Sequence, residues 1–434
     1  MKKVLFIMQS YPSERSANVD CDEKIINELR KHSDIEIYCL TYRYNYQPLK
    51  SQYDGFTVYR YKKGVLFDLY SWARHHENII IGRVLLKIFR FLLLAKELIL
   101  VPFYPYIEPL GMRQCVTAAI DLHKKIHFDL VFADHNGIDT LYAGKKLKEK
   151  FPEIRFIAMM WDPILGKNKP KYVSSQYHTQ RCLKAQNNLV YSADLIIMLD
   201  SVKDLYVRHS HQFDYFERIR FCSIPGIIRP EDSTNQLPED VVKLFEQNKY
   251  NIVYTGLITV DRNPLQLIKI LDLSEFSNRI NIVFFCSKDS EDIIKTIQPN
   301  EVTIRIHNYV DKSVLRGVYN RANCFLNLGG SEANMVPSKL FNYLSYGKPI
   351  ISTYIVEEDP SAKCLRSYPL ACCVNLKTDI MDNLKQVNDF IDHKMTQSYE
   401  FEKIKKLYRN STPSIYTDLI IEQMREVDLN GQGA

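Results

Sequence analysis

Pro337, Ser338 and Lys339 place a ring without an N–H, a hydroxyl and an ammonium in three consecutive positions. Leu340, Tyr343 and Leu344 follow at helical spacing, so a helix is expected to begin here with that face turned inward. Proline suits its first turn, where an N–H would have no intrahelical partner. Gly347 sits where a left-handed cap would end the helix, Pro349 prevents its return, and Ile350-Ile351 begin a strand. The free N–H groups of the first turn, the Ser338 hydroxyl and the Lys339 ammonium form a set suited to an anion such as a diphosphate.

Other strand tips carry polar groups. Gly256 ends an apolar run and lets a ligand approach the backbone closely; Arg262, six residues on, offers a planar fork for diphosphate oxygens. The plain alternative is a surface arginine before Pro264. Gly329-Gly330 ends another run, and Asn334 and Asn342 flank the helix start. Asn334 also suits an N-cap, whereas Asn342 inside the helix faces solvent or hydrogen-bonds a partner such as a ribose hydroxyl. Trp161-Asp162 and Asp134-His135 end two further runs. A carboxylate there can act as a base or orient an acceptor hydroxyl, or it can simply start a turn before Pro163.

The elements that must position these groups alternate. Strands at 4–8, 35–40, 56–61, 128–133, 155–160, 194–199 and 221–224 are separated by helical stretches, and the pattern restarts near Asn251. Alternation of this kind predicts an α/β fold with parallel sheets, whose ligands bind beyond the strands' carboxyl ends. The loop 9–18 occupies such a position but lacks the glycines of a dinucleotide fingerprint. A Pro- and acid-rich stretch divides the chain: an N-terminal domain over 1–229, a linker over 230–249, a C-terminal domain over 250–407, and a last segment, 408–434, packing back on the first domain and fraying from Leu429. The two α/β halves are expected to face a central cleft. One further helix, 390–407, is expected near the end.

The 434 residues exceed one ordinary core, and 46% hydrophobic with 25% charged residues excludes wholesale disorder. A net charge of +6, with basic residues interspersed among acids, gives a nucleic-acid role little support. The ten cysteines show no CxxC pair and read as reduced core thiols of a cytosolic protein. Asp20-Cys21-Asp22, the one Asp-x-Asp, reads as a helix cap, so no metal is expected. The apolar start, 4–8, is too short for a signal peptide, and no apolar run spans a bilayer. Residues 79–105 stand apart: Arg83, Lys87 and Arg90 form a basic stripe in an otherwise apolar helix. It suits a membrane interface, or a core helix with snorkelling cations.

Pro-Ser-Lys-x-Phe-x-Tyr-x-x-x-Gly-Lys-Pro-Ile resembles the nucleotide-sugar segment of GT-B glycosyltransferases, especially the family-4 type that builds bacterial polysaccharides such as capsule. The resemblance covers nearly the full length, strongly over 251–374 and loosely before. It implies two Rossmann-like domains, with donor contacts from Gly256, Asn308, Tyr309, Gly330, Asn334, Ser338 and Asn342. Arg262 and Lys339 would stabilise the leaving diphosphate, Asp162 would be catalytic, and His135 and Trp161 would face the acceptor. In the E-x7-E pattern of the family, Asn334 and Asn342 stand where glutamates are usual, and Glu332 lies two residues upstream. The implied activity is transfer of a sugar from a nucleotide-diphosphate donor, a UDP-sugar, to a saccharide or lipid-linked saccharide, with retention, on the inner face of the cell membrane. It needs no cofactor. Two alternatives are a catalytically silent GT-B subunit that binds a partner or carbohydrate, which the asparagines favour, and a GT-B epimerase.

Overall fold

The computed structural model describes residues 1–9, 11, 17–44, 46–106, 108–135, 137–162, 164, 173–231, 237–330, 337–357 and 359–431. The chain divides into two compact units: Met1–Ser223 with Pro413–Ala434, and Ile224–Thr412. The division therefore falls at Ser223 rather than at 229. Residues 237–249, expected to form part of a linker, fold into the second unit; 232–236 lie outside the described residues.

In the first unit the strands are β1 (Lys2–Ile7), β2 (Ile35–Tyr42), β3 (Lys50–Tyr53), β4 (Phe56–Tyr61), β5 (Leu130–Asp134), β6 (Arg155–Met160), β7 (Leu195–Leu199) and β8 (Ile219–Cys222). They form one sheet in the order β3-β4-β2-β1-β5-β6-β7-β8, parallel except for β3. The sequence reading missed β3, whose Lys-Ser-Gln-Tyr lacks an apolar face; it is the edge strand of a hairpin turned by Asp54-Gly55, with Gly55 at φ 77°. β5 is buried at every residue, as a strand covered on both faces must be. The helices are α1 (Ala17–Leu29), α2 (Val65–His75), α3 (Ile80–Leu100), α4 (Pro109–Ile126), α5 (Ile138–Lys150), α6 (Ser175–Val190) and α7 (Lys203–Arg208). α3 is not the core helix of one reading: between residues 80 and 93 only Gly82 and Phe89 are buried.

The second unit opens with the short helix α8 (Glu239–Val242). Its strands are β9 (Tyr250–Thr255), β10 (Ile280–Phe285), β11 (Thr303–His307), β12 (Cys324–Leu328), β13 (Ile350–Tyr354) and β14 (Ala371–Asn375). All are parallel, in the order β11-β10-β9-β12-β13-β14. Between them run α9 (Leu265–Asp272), α10 (Lys288–Lys295), α11 (Lys312–Arg321), α12 (Ser338–Ser345) and α13 (Pro360–Leu365), followed by α14 (Ile380–Lys394) and α15 (Phe401–Leu407). The single helix expected over 390–407 is thus two, parted at 395–400. The last helix, α16 (Pro413–Gly431), belongs to the first unit and packs on α1. It stays helical through 431, past the expected fraying point, and 432–434 lie outside the described residues. All ten cysteines are free thiols, eight of them buried.

Candidate functional site

The strand order of the second unit reverses direction between β9 and β12, and a parallel sheet opens a crevice beyond its carboxyl ends at such a point. Gly256 follows β9 there, and Gly329-Gly330 follows β12. α12 starts nearby, with Pro337 at the N-cap position rather than in the first turn and with no side chain capping the helix. The helix ends as the sequence predicts, on Gly347 at φ 65°. A side chain there would strike the Tyr399 carbonyl, 2.0 Å from the position of a Cβ.

Lys339 is the centre of this arrangement. Its Nζ donates to the Thr255 carbonyl at 2.5 Å and sits 5.7 Å from the centre of the Tyr254 ring. Gly256, at φ 138°, makes room for it: a Cβ on Gly256 would lie 1.6 Å from that nitrogen. α12 is held to the end of β9 by a second residue one turn on. The Tyr343 hydroxyl accepts from Thr255 N at 3.0 Å and shares a hydrogen bond with the Thr255 hydroxyl, which also bonds the Tyr319 hydroxyl, while the Tyr343 ring stacks on Phe325 at 4.5 Å. The sequence marked Tyr343 only as an inward-facing residue; its hydroxyl is what fixes Lys339 in register with the strand.

Burial foremost, and then the nearby Arg262 guanidinium, lower the Lys339 pKa to about 8. Arg262 is half-buried and sits beside Gly330, where a Cβ would lie 3.2 Å from its Nε. The Asp261 carboxylate is equally close to Gly330, at 3.0 Å. Among the described residues the Arg262 guanidinium forms no ion pair. Asp359, missed by the sequence reading though an Asp-Pro pair signals a helix start, is buried and caps α13 by accepting from Ala362 N at 2.9 Å. Burial raises its pKa, and Arg262 opposes that rise. Two cations so placed, one short of a counter-charge, can receive an anion entering beside two glycines.

The remaining predicted residues of this unit are distributed around that centre. Ser338 is the first residue of α12 and Asn342 lies half-buried one turn along it. Asn308 and Tyr309 follow β11 and are exposed, Tyr309 at 41%. Asn334 and Glu332 lie outside the described residues. Among the described residues no group of three or more His, Cys, Asp or Glu could hold a metal ion.

In the first unit the strand order reverses between β1 and β5. Asp134 ends β5 and His135 follows it, both almost fully buried. The reading of Asp22 as a cap is overturned: it is the sixth residue of α1, fully buried, and its Oδ1 accepts from Trp161 Nε1 at 3.1 Å. Asp22 also meets the Asp134 carboxyl, and burial, its dominant influence, raises its pKa to about 7. Two buried carboxyls side by side disfavour double ionisation. Trp161 is buried, with its ring 5.9 Å from that of Tyr416 on α16, whereas Asp162 beside it is exposed. Trp161 and His135 are therefore walls of this edge, and Asp162 is its accessible carboxylate. Tyr416 was not singled out by the sequence, since its partners lie far away in the chain.

No family model and no curated protein matches the sequence. Among solved structures, the chain is similar to HepE (Alr3699) of Anabaena in complex with UDP, at 11% identity over 98% of this chain and 100% of that one, with a TM-score of 0.59. An α,α-trehalose-phosphate synthase (UDP-forming) from Burkholderia xenovorans, in complex with glucose-6-phosphate, matches at 11% identity over 98% and 100%, with a TM-score of 0.61. A glycosyltransferase from Rickettsia africae matches at 10% over 98% of each chain, with a TM-score of 0.59. The fold is that of the GT-B glycosyltransferases, with a parallel-sheet α/β unit in each half of the chain.

Proposed function

We propose that this chain is a retaining hexosyltransferase of the family-4 kind, moving a sugar from a UDP-sugar to a hydroxyl of a saccharide or lipid-linked saccharide in polysaccharide or capsule assembly. The observation that carries the reading is Lys339: a mostly buried ammonium beside Arg262, at the sheet's switch point, with a carbonyl as its one acceptor among the described residues and a glycine making room. The neighbours solved with UDP and UDP-glucose make UDP-glucose the first donor to test.

In the reaction the bond from the anomeric carbon to the diphosphate oxygen breaks and the acceptor oxygen bonds to that carbon. The acceptor's proton leaves with the diphosphate. Lys339, Arg262 and the uncapped start of α12 at Ser338 would stabilise the charge that develops on the leaving group. Gly256 and Gly330 would let the donor approach the backbone, and Asn308, Tyr309, Asn334 and Asn342 would contact its base and hydroxyls. Asp162 would orient the acceptor hydroxyl beside Trp161 and His135. No metal or cofactor enters this scheme. No described helix is long and apolar enough to cross a membrane. We assign the protein to the cytoplasmic face of the cell membrane, held there peripherally through residues 79–105.

The test is a panel of UDP-, GDP- and other nucleotide-sugars, read by calorimetry and nucleotide release. One donor is expected to bind, with binding lost in Arg262→Ala and Lys339→Ala. Absence of binding to any donor by folded protein would overturn the enzyme reading and favour a silent subunit.

A further inference from the structure

We propose that the outer face of α3 docks on a bilayer rich in anionic lipid, with the helix axis in the plane of the membrane. The purpose of such docking rests on the membrane-borne acceptor proposed above. Its geometry stands separately.

The inner side of α3 is fixed. Phe89 packs edge-on against Tyr70 of α2 at 5.9 Å, and Gly82 lies so near α2 that a Cβ would be 2.0 Å from the His76 carbonyl. Everything opposite is exposed, including Ile80 at 72% and Phe91 at 71%. At about 100° per residue, Ile80, Phe91, Val84, Ile88, Ile81 and Leu92 spread over an arc of about 120°. Arg90, Arg83 and Lys87 fill an adjoining arc of about 60°, also exposed. The apolar arc thus faces outward and the cations line one edge of it. That is the arrangement of a helix whose apolar side enters the acyl boundary while its cations stay among headgroups.

Charge selects the occupant. Between residues 80 and 93 α3 has three cations and no acid. A second copy seated face to face would bring these cations against their own kind, whereas anionic headgroups complement them. The same cations, spaced through the middle of the apolar stretch, suit a helix lying on the membrane rather than crossing it. Val65 and Leu66 at the start of α2 are exposed as well.

The test is co-sedimentation of the full chain with vesicles of phosphatidylcholine alone and of phosphatidylcholine with phosphatidylglycerol, with donor binding measured on the same preparations. Binding is expected only to the anionic vesicles. Arg83→Gln, Lys87→Gln and Arg90→Gln together should weaken it on the order of a hundredfold, from roughly fivefold per cation. Ile88→Ser with Phe91→Ser should abolish it while leaving the melting temperature and donor binding intact, which separates loss of docking from loss of fold. Equal sedimentation with both vesicle types, sedimentation with neither, or a dimer that the serine variant dissolves would each overturn the proposal. Vesicle binding without binding of any donor would sink the transfer reading and leave this one standing; donor binding without vesicle binding would do the reverse.

Discussion

The carboxyl edges of the two sheets handle buried charge in opposite ways. In the first unit Asp22 and Asp134 meet beside Trp161, and burial raises the Asp22 pKa to about 7, moving that carboxyl toward its neutral form. In the second, Lys339 is mostly buried beside another cation, with one carbonyl as acceptor among the described residues. The first edge lowers its charge by protonation. The second keeps its lysine beside another cation, while the nearby carboxylates of Asp261 and Asp359 face Arg262. A buried cation beside a second one marks a sheet edge as a candidate anion site more sharply than the number of charged residues near it.

The strongest way to break the contrast is Gly256→Ala. The new methyl would occupy the space of the Lys339 amine, at a backbone angle of φ 138° that alanine rarely adopts. Backbone strain of on the order of 1–3 kcal/mol lowers the stability of the fold, and displacing the lysine removes its charge-assisted bond to the diphosphate, about 2 kcal/mol or roughly thirtyfold in affinity. Calorimetric titration with UDP should show at least that loss. An unchanged affinity would remove Lys339 from the site.

Lys339→Met comes next. Loss of a charge-assisted hydrogen bond of about 2 kcal/mol should weaken UDP binding roughly thirtyfold. The melting temperature should hold or rise, because a buried ammonium with a lowered pKa costs stability. The sign follows from linkage: the unfolded chain keeps this proton up to about pH 10 and the folded chain only to about 8, so wild-type stability rises with pH across that window. The bound diphosphate restores the proton, so UDP binding near pH 8.5 should take up protons, measurable as a dependence of the calorimetric heat on buffer ionisation. Methionine removes both effects.

Asp22→Asn probes the first edge. A carboxyl whose pKa is raised to about 7 favours folding most below its unfolded pKa of about 4, and that contribution is lost as pH rises toward 7. Asparagine should flatten this slope, by up to about 4 kcal/mol between the two ends, in urea titrations across pH. UDP affinity should not change. The smallest effect is expected for Tyr343→Phe, which keeps the stack on Phe325 but removes the hydroxyl from Thr255. It should cost about 1 kcal/mol in the same titrations, with a modest loss of UDP affinity.

What was legible in the sequence follows from what is local. Gly347, Pro349 and the apolar spacing after Lys339 specify a helix, its stop and the next strand within one short segment, and the structure forms all three. Alternating strands and helices gave the α/β class, and a particular run of residues carried the GT-B resemblance. The polar strand β3 was missed because its pairing, not its composition, makes it a strand. Asp22 was misread because the partner that defines it, Trp161, lies 139 residues away. Tyr343 was half-read: spacing shows which way a side chain points but not what its hydroxyl meets.

The return of α16 to the first unit has a consequence for synthesis. That unit is assembled from two stretches of chain, with the whole second unit between them. On the ribosome, Tyr416 cannot reach Trp161 until almost all of the sequence has emerged, so the second unit is free to fold before the first is complete. The first unit then waits with the α1 surface that α16 will cover still open. A nascent chain stalled before residue 413 should therefore present a protease-resistant second unit beside a first unit that remains cleavable.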